Sequence, residues 1–489
     1  MVDAVSRMPT AAGFSRDVSG GAVRDRWPRT EPSPDAASAI GSTNGQAFRA
    51  LLVLSAIMFL SPQSYLPVLA PFRVALLAAF VSLAMLLAER SKRHEPWIGS
   101  APQVLWGFAL VAWSIVTVPF SSWPSGSVNY ITSLYIKNFV VFWLIGGAVR
   151  TVAELRTFAW TLSLLVLPTA IKVALDFAAG NFVTTAGVSR VGGDGGLTAN
   201  PNDIALLLNI VLPLTIALLL TERSVRTRLL LVGMIGASAL AIVLTYSRGG
   251  FITLIASIAL HLWRVGRGPR HRWVWVAVPI ALAATALLPS SYVSRLATVF
   301  DSSSDATGSS QDRQRDMEAA LSYVAANPIV GSGIGMNALA LNDIRGGRYT
   351  AVHNVYLQHA AELGLPGLML FLFLFRSSLK GAAAASRALP SSDPEGDRLM
   401  WLAQGIWISL LAFGVAAMFH PVAFHAFFYF LAGLSVAVAN AHRARLRQIS
   451  PGAVAEDAVQ VHGRRAAQRD PQIDWRQPVW PRQSRTSRQ

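Results

Sequence analysis

The sequence predicts an all-α integral membrane protein of about twelve transmembrane helices, with one large loop between the ninth and the tenth. Three observations predict it. The 489 residues are 53% hydrophobic and only 14% charged, where a soluble domain carries roughly 25% charged residues. The apolar residues are gathered into runs, and a bilayer core needs about 20 of them per helix. The 42 Lys and Arg residues fall mostly in alternate loops, as the cytoplasmic preference of basic residues requires.

In chain order the expected segments are 47–61, 66–88, 103–120, 128–149, 155–178, 203–221, 228–246, 249–263, 273–289, 365–380, 401–419 and 423–441. The first, eighth and tenth are short for a bilayer. Residues 1–46 are rich in Ser, Ala, Pro, Gly and Arg and lack an apolar h-region, so a disordered cytoplasmic tail is expected there. Residues 442–489, with Trp475 and Trp480, are expected to form a second, basic tail. Between the tails lie a membrane bundle over 47–289, an outer loop domain over 290–364 and three further helices over 365–441. With the N-terminus inside, 32 of the Lys and Arg residues are cytoplasmic and seven are outer: Arg190, Arg248, Arg295, Arg313, Arg315, Arg345 and Arg348. Arg73, Lys137 and Lys172 remain within helices. Both termini are then cytoplasmic, and the net charge of +16 marks topology rather than a nucleic-acid interface.

Two outer loops are long enough to carry chemistry. Residues 179–202 are Gly-rich around Arg190, with Gly192, Gly193, Gly195 and Gly196 after it. Residues 290–364 contain a stretch "DSSSDATGSSQ", then "DRQRDMEAALSYVAANP", a helix stopped at Asn327-Pro328, then the turn "IVGSGIGMN". They end in "AVHNVYLQHAAELGLPGL" (351–368). There Asn354 is placed to cap a helix, Gly364 to end it and Pro366 to start the next. Asn354, Gln358 and Glu362 recur at i, i+4 and i+8 and share one face. His353 stands at the helix start, where the dipole favours a neutral ring able to accept a proton; a merely solvated interfacial histidine fits the same spacing. His359 lies elsewhere around the helix and is no substitute for it.

In "LTYSRGGF" (244–251), Arg248 follows a long apolar run and precedes Gly249 and Gly250. A snorkelling anchor is one reading. The other is anion binding, because glycines let backbone N–H groups approach a phosphate beside a bidentate guanidinium. Lys172 and Asp176, at i and i+4, are expected to pair, whereas Lys137 has no partner within its own helix. "TANPND" (198–203) starts the sixth helix.

With no cysteine, disulfides and thiolate metal sites are out of reach. A P-loop, an Asp-x-Asp motif, a His-x-x-x-His pair and a Gly-x-Ser-x-Gly elbow are missing too, and no cofactor is expected. "GSGIGMN" follows no strand of a βαβ unit and is not a dinucleotide site. Group transfer at the outer face would need a pre-activated donor, such as a lipid-linked diphosphate.

"TYSRGGF", "NPIVGSGIGMN" and "HNVYLQHAAELGLPGL", in this order, resemble the O-antigen ligase/O-antigen polymerase family of bacterial membrane glycosyltransferases. The resemblance covers roughly 50–440 and is strongest over 196–370. It implies a GT-C-like helical fold in the inner membrane with a large periplasmic loop. It also implies metal-independent, inverting transfer of a glycan from an undecaprenyl-diphosphate donor to a hydroxyl. The acceptor would be a glycan, a lipopolysaccharide core or another hydroxyl compound, in O-antigen or exopolysaccharide assembly. On the matching positions it implies that His353 activates the acceptor and that Arg248, with Gly249 and Gly250, holds the diphosphate. Arg190 matches less tightly, and Asn354, Gln358, Glu362, Lys137, Lys172 and Asp176 are supporting candidates. "GSGIG" followed by Met336-Asn337 departs from the commoner form with an aromatic, which bears on substrate identity. Polymerase is slightly favoured over ligase, and proteins of the same pathway that set chain length or export the product are expected partners. The alternative is a flippase of the same lipid-linked saccharide, for which inverted repeats and short loops on both faces would be expected.

Overall fold

The computed structural model describes residues 45–99, 101–185, 188–192, 196–198, 200–265, 309–342, 344–347, 349–387 and 394–449. They fall in one compact unit, Thr43–Gln489. The expected segment 273–289, the loop 290–308, nearly all of the N-terminal tail and the C-terminal tail beyond 449 lie outside the described residues.

The helices are α1 (Gln46–Leu60), α2 (Val74–Lys92), α3 (Pro102–Val116), α4 (Pro124–Ala148), α5 (Val152–Ala179), α6 (Pro201–Thr221), α7 (Val225–Leu244), α8 (Arg248–Val265), α9 (Ser309–Ala326), α10 (Val355–Ala385), α11 (Pro394–Ala416) and α12 (Ala426–Ile449). Among the described residues, eight helices are long and apolar enough to cross a membrane: α2, α3 with its 3₁₀ extension to Phe120, α4, α5, α6, α7, α10 and α11. The chain is a membrane protein. The α1 helix, with 15 residues, is apolar but shorter than a straight span needs.

One expectation changes. The second segment does not run unbroken from 66: Pro67–Phe72 is a 3₁₀ turn, and Arg73, with φ 47°, stands exposed at the start of α2 rather than inside a helix. Two prolines in that turn remove the backbone donors that a continuous α-helix would use. The expected all-α class holds, but the loop after α5 is not wholly irregular: β1 (Val183–Thr185) and β2 (Val188–Arg190) form a short antiparallel hairpin there. Within α4, Ile131–Tyr135 is π-helical.

The α6 helix is the hub. Its apolar window is 83% buried, against 17% for the peripheral α2, whose Leu77 and Phe80 face outward. Lipid is as apolar as leucine, so close packing and interhelical hydrogen bonds must hold such a bundle. Ser163 on α5 meets Thr215 on α6 at 2.9 Å. Asn209 on α6 donates to the carbonyls of Ala205 (2.8 Å) and Gly250 on α8 (3.0 Å). A Cβ on Gly250 would lie 2.5 Å from that of Ala205, so only glycine lets α8 approach α6 this closely.

Candidate functional site

One end of the bundle collects the groups singled out by the sequence. The α7–α8 corner is sharp: Tyr246 adopts φ 55°, a left-handed conformation uncommon for a non-glycine residue. Thr245 Oγ1 accepts from Ser247 N (3.3 Å), and Ser247 Oγ accepts from Gly250 N (3.1 Å). Arg248 therefore opens α8 with its backbone held from both sides. The Gly250 N–H is committed to Ser247, so this glycine contributes close packing. Gly249 faces Phe419 and His420, which a Cβ would meet at 3.0 and 3.4 Å.

Asn202, in the first turn of α6, ties this corner to the hairpin. Its Oδ1 accepts from Ser247 Oγ (2.8 Å) and from Arg190 Nη1 (3.4 Å), and its backbone carbonyl meets His420 Nε2 at 3.2 Å. Asn200 caps α6, accepting from Asn202 N and Asp203 N, as "TANPND" predicts. One amide oxygen thus ties Arg190 to Ser247, the residue before Arg248.

His353 approaches from the other side. It precedes α10, whose N-cap Asn354 accepts from Tyr356 N (2.9 Å) and Leu357 N (3.1 Å). Its Nδ1 faces Asp316 Oδ2 of α9 at 4.0 Å. Arg345 Nε lies 3.1 Å from Asp316 Oδ1, and Thr350 Oγ1 donates to the same oxygen at 3.3 Å. Burial, then the charge of Arg313, then His420 bring the His353 pKa down to about 4. The ring is neutral, as expected at the helix start, but burial is the main cause rather than the helix dipole. Burial also lowers His420, with a further push from Arg313. Arg313 on α9 thus acts electrically on both histidines.

The shared face of Asn354, Gln358 and Glu362 turns inward. Glu362 is fully buried; it accepts from Gly335 N (2.6 Å), from Asn337 Nδ2 and from Gln358 Nε2 (3.2 Å). Gln358 Oε1 in turn accepts from Ala423 N at 3.2 Å. Gly364 has φ 69° and ψ −177°, a conformation open to glycine alone, and kinks α10 there. A Cβ at this position would lie 2.1 Å from the carbonyl oxygen of Ile329. The Leu363 carbonyl accepts from Trp113 Nε1 at 2.8 Å. The turn around Gly333 therefore docks on the carboxylate end of this face, while Ser127 Oγ donates to the Ile334 carbonyl at 3.0 Å. His359 stacks on Phe371 at 4.2 Å and is wholly buried; it is a core residue.

The remaining candidates separate. Lys172 and Asp176 pair at 2.5 Å. Lys172 also lines a cavity of about 340 Å³ with Ser61, Tyr65, Gly192 and Thr198. Lys137 is exposed just after the π-helical stretch, and none of the contacts described for it joins the Arg248 group. Asn202, His420, Arg313, Asp316 and Arg345 escaped sequence reasoning. Only the "TANPND" motif hinted at one of them; the others come together by packing of α6, α9 and the α11–α12 connection.

The described residues thus form a membrane protein with cations from two loops and a histidine facing a carboxylate at one end of an apolar bundle. Residues 208–372 match the family model described as O-antigen ligase. That match runs from within α6 to within α10, includes Arg248 and His353, and supports the O-antigen ligase/polymerase family for this chain. No curated protein matches it.

Proposed function

We propose that the protein is an inverting glycosyltransferase of the bacterial inner membrane, with its site at the periplasmic face and both termini in the cytoplasm. It moves a glycan from an undecaprenyl-diphosphate donor to a sugar hydroxyl, in O-antigen or exopolysaccharide assembly. The observation that carries this reading is the tie from Arg190 through Asn202 to Ser247, the residue before Arg248, with the His353–Asp316 pair on the adjoining loop.

In the reaction, His353 Nε2 takes the proton of the acceptor hydroxyl while Nδ1 faces Asp316. The acceptor oxygen bonds to the anomeric carbon from the side opposite the leaving group. The bond between that carbon and the phosphate oxygen breaks, its electrons leave with the diphosphate, and Arg248 and Arg190 stabilise the added charge. Asp316 positions the ring and stabilises the imidazolium that forms; it does not touch substrate. The cavity around Lys172 has Leu60 and Leu66 on its apolar side, which suits it to the donor's first isoprene units next to the diphosphate.

A charge-assisted contact contributes on the order of 1.5–3 kcal/mol, and more where charge grows in the transition state. Arg248→Ala and His353→Ala are therefore expected to reduce transfer by at least about 100-fold at unchanged membrane abundance. The assay is reconstitution with lipid-linked repeat units, read as longer chains or as transfer to an added lipopolysaccharide core. Wild-type product from either variant overturns the proposal. Movement of the donor across the bilayer without a new glycosidic bond would instead make the protein a flippase. Chain extension is the slightly favoured product, and transfer to the added core would make the protein a ligase instead.

A further inference from the structure

A second cavity, of about 440 Å³, opens at the far end of the bundle between α3, α10 and α12. Three cations border it: Arg376 and Lys380 on α10, and Arg443 on α12. Arg376 and Lys380 are one helical turn apart, an arrangement of like charges that destabilises a helix unless an anion sits between them. Among the described residues no carboxylate pairs with either. Nearby Arg445 has its own carboxylate, Glu395, at 3.1 Å, whereas Arg443 contacts the neutral amide of Asn440 at 2.7 Å.

The floor is equally specific. Trp106 and Phe373 pack with centroids 4.9 Å apart on the bundle-centre side of the cations, where an aromatic–aliphatic interface belongs in a membrane. Gln103 is buried and donates to the Ser377 carbonyl at 3.2 Å, and Gly381 leaves room for its amide. Lys380 stands 27 positions beyond His353 in the chain. At about 1.5 Å per residue the two lie at opposite ends of a membrane-length helix.

We infer that this cavity binds the phosphate headgroup of an anionic phospholipid, with its acyl chains laid along Trp106 and Phe373. Phosphate oxygens accept from the three cations, and the chains cover Phe373, which the described residues leave 39% exposed. The site is remote from His353 and does not depend on the transfer reaction.

The test uses the full-length protein in neutral detergent, freed of lipid and then titrated with cardiolipin, with phosphatidylcholine or with inorganic phosphate. Native mass spectrometry reads bound lipid and a thermal melt reads stabilisation. Cardiolipin should stay bound and raise the melting temperature, while the other two should not. Each basic residue near a membrane surface contributes about a five-fold gain in affinity. Arg376→Gln/Lys380→Gln/Arg443→Gln should therefore weaken cardiolipin binding by about 100-fold. Undiminished binding in that variant overturns the inference, as does equal retention of phosphatidylcholine, or stabilisation by inorganic phosphate alone. If the triple variant does not purify, Lys380→Gln and Arg443→Gln decide singly: a loss of about five-fold in each supports the site, and no loss in either rejects it.

Discussion

His353 owes its neutrality to burial and to the cations Arg313 and Arg345 around it. In the folded protein its pKa is about 4 rather than 6.5. The unfolded chain therefore binds more protons between those values, and the stability tied to the neutral ring, full above pH 6.5, is lost as pH falls toward 4. In the proposed reaction, neutral His353 is the competent form. The acid limb of kcat/KM, which reports the free enzyme, should fall near pH 4. A bound diphosphate would partly cancel the cations, so the limb of kcat should lie higher. A pH–rate series on the reconstituted protein checks both; a kcat/KM limb at 6.5 would contradict the buried setting. Asp316→Asn keeps the shape but removes the charge facing Nδ1. It should lower kcat about ten-fold, worth roughly 1.4 kcal/mol, with little change in KM, whereas a merely structural role would reduce folded protein instead. The residues of this set differ in how openly the sequence displays them. His353 and Arg248 stand out because a titratable group beside apolar runs is conspicuous. Asp316, Arg313 and His420 do not, since each is ordinary within its own segment and gains meaning only from packing.

At the scale of elements, helix starts and stops were legible because capping chemistry is local. Asn354, Gly364 and Asn200 do what their residue types demand. The break before α2 and the hairpin after α5 were not anticipated, because hydropathy averages over windows longer than either. Gly364 ends the first part of α10 and Pro366 opens the second, as their residue types predict, and the two parts meet at a kink. That kink rests on one residue. Gly364→Ala would force a side chain into a glycine-only conformation, at about 1–3 kcal/mol for the backbone alone, and against the Ile329 carbonyl as well. The expected outcome is a lower melting temperature, with transfer activity falling further than folded protein does. Gly346→Ala is the matched control: its φ is also positive, but a Cβ there has nothing within 4 Å.

For the whole molecule, composition alone established a membrane protein, and the alternation of basic loops gave an orientation that the bundle can be made to report. The chain contains no cysteine, so any introduced thiol is the sole reactive one. Ser322→Cys, on α9, should react with an impermeant maleimide in intact spheroplasts; Arg387→Cys, beyond α10, should react only after the membrane is opened. The reverse pattern would invert the topology and put the site in the cytoplasm. Helix count was harder to read, since length and hydropathy do not separate a short apolar helix such as α1 from a complete span.

The Glu362 carboxylate fastens the turn around Gly335 to α10 from within, fully buried. The opposite wall, with Asp312, Arg315, Glu318 and Arg345, lines an open groove of about 590 Å³. Asp316, the carboxylate facing His353, lines that same groove. On the proposed function, an acceptor arriving there would meet α9 before it met the histidine. Substitutions along the exposed side of α9 should then change which acceptor is used before they change the rate of transfer.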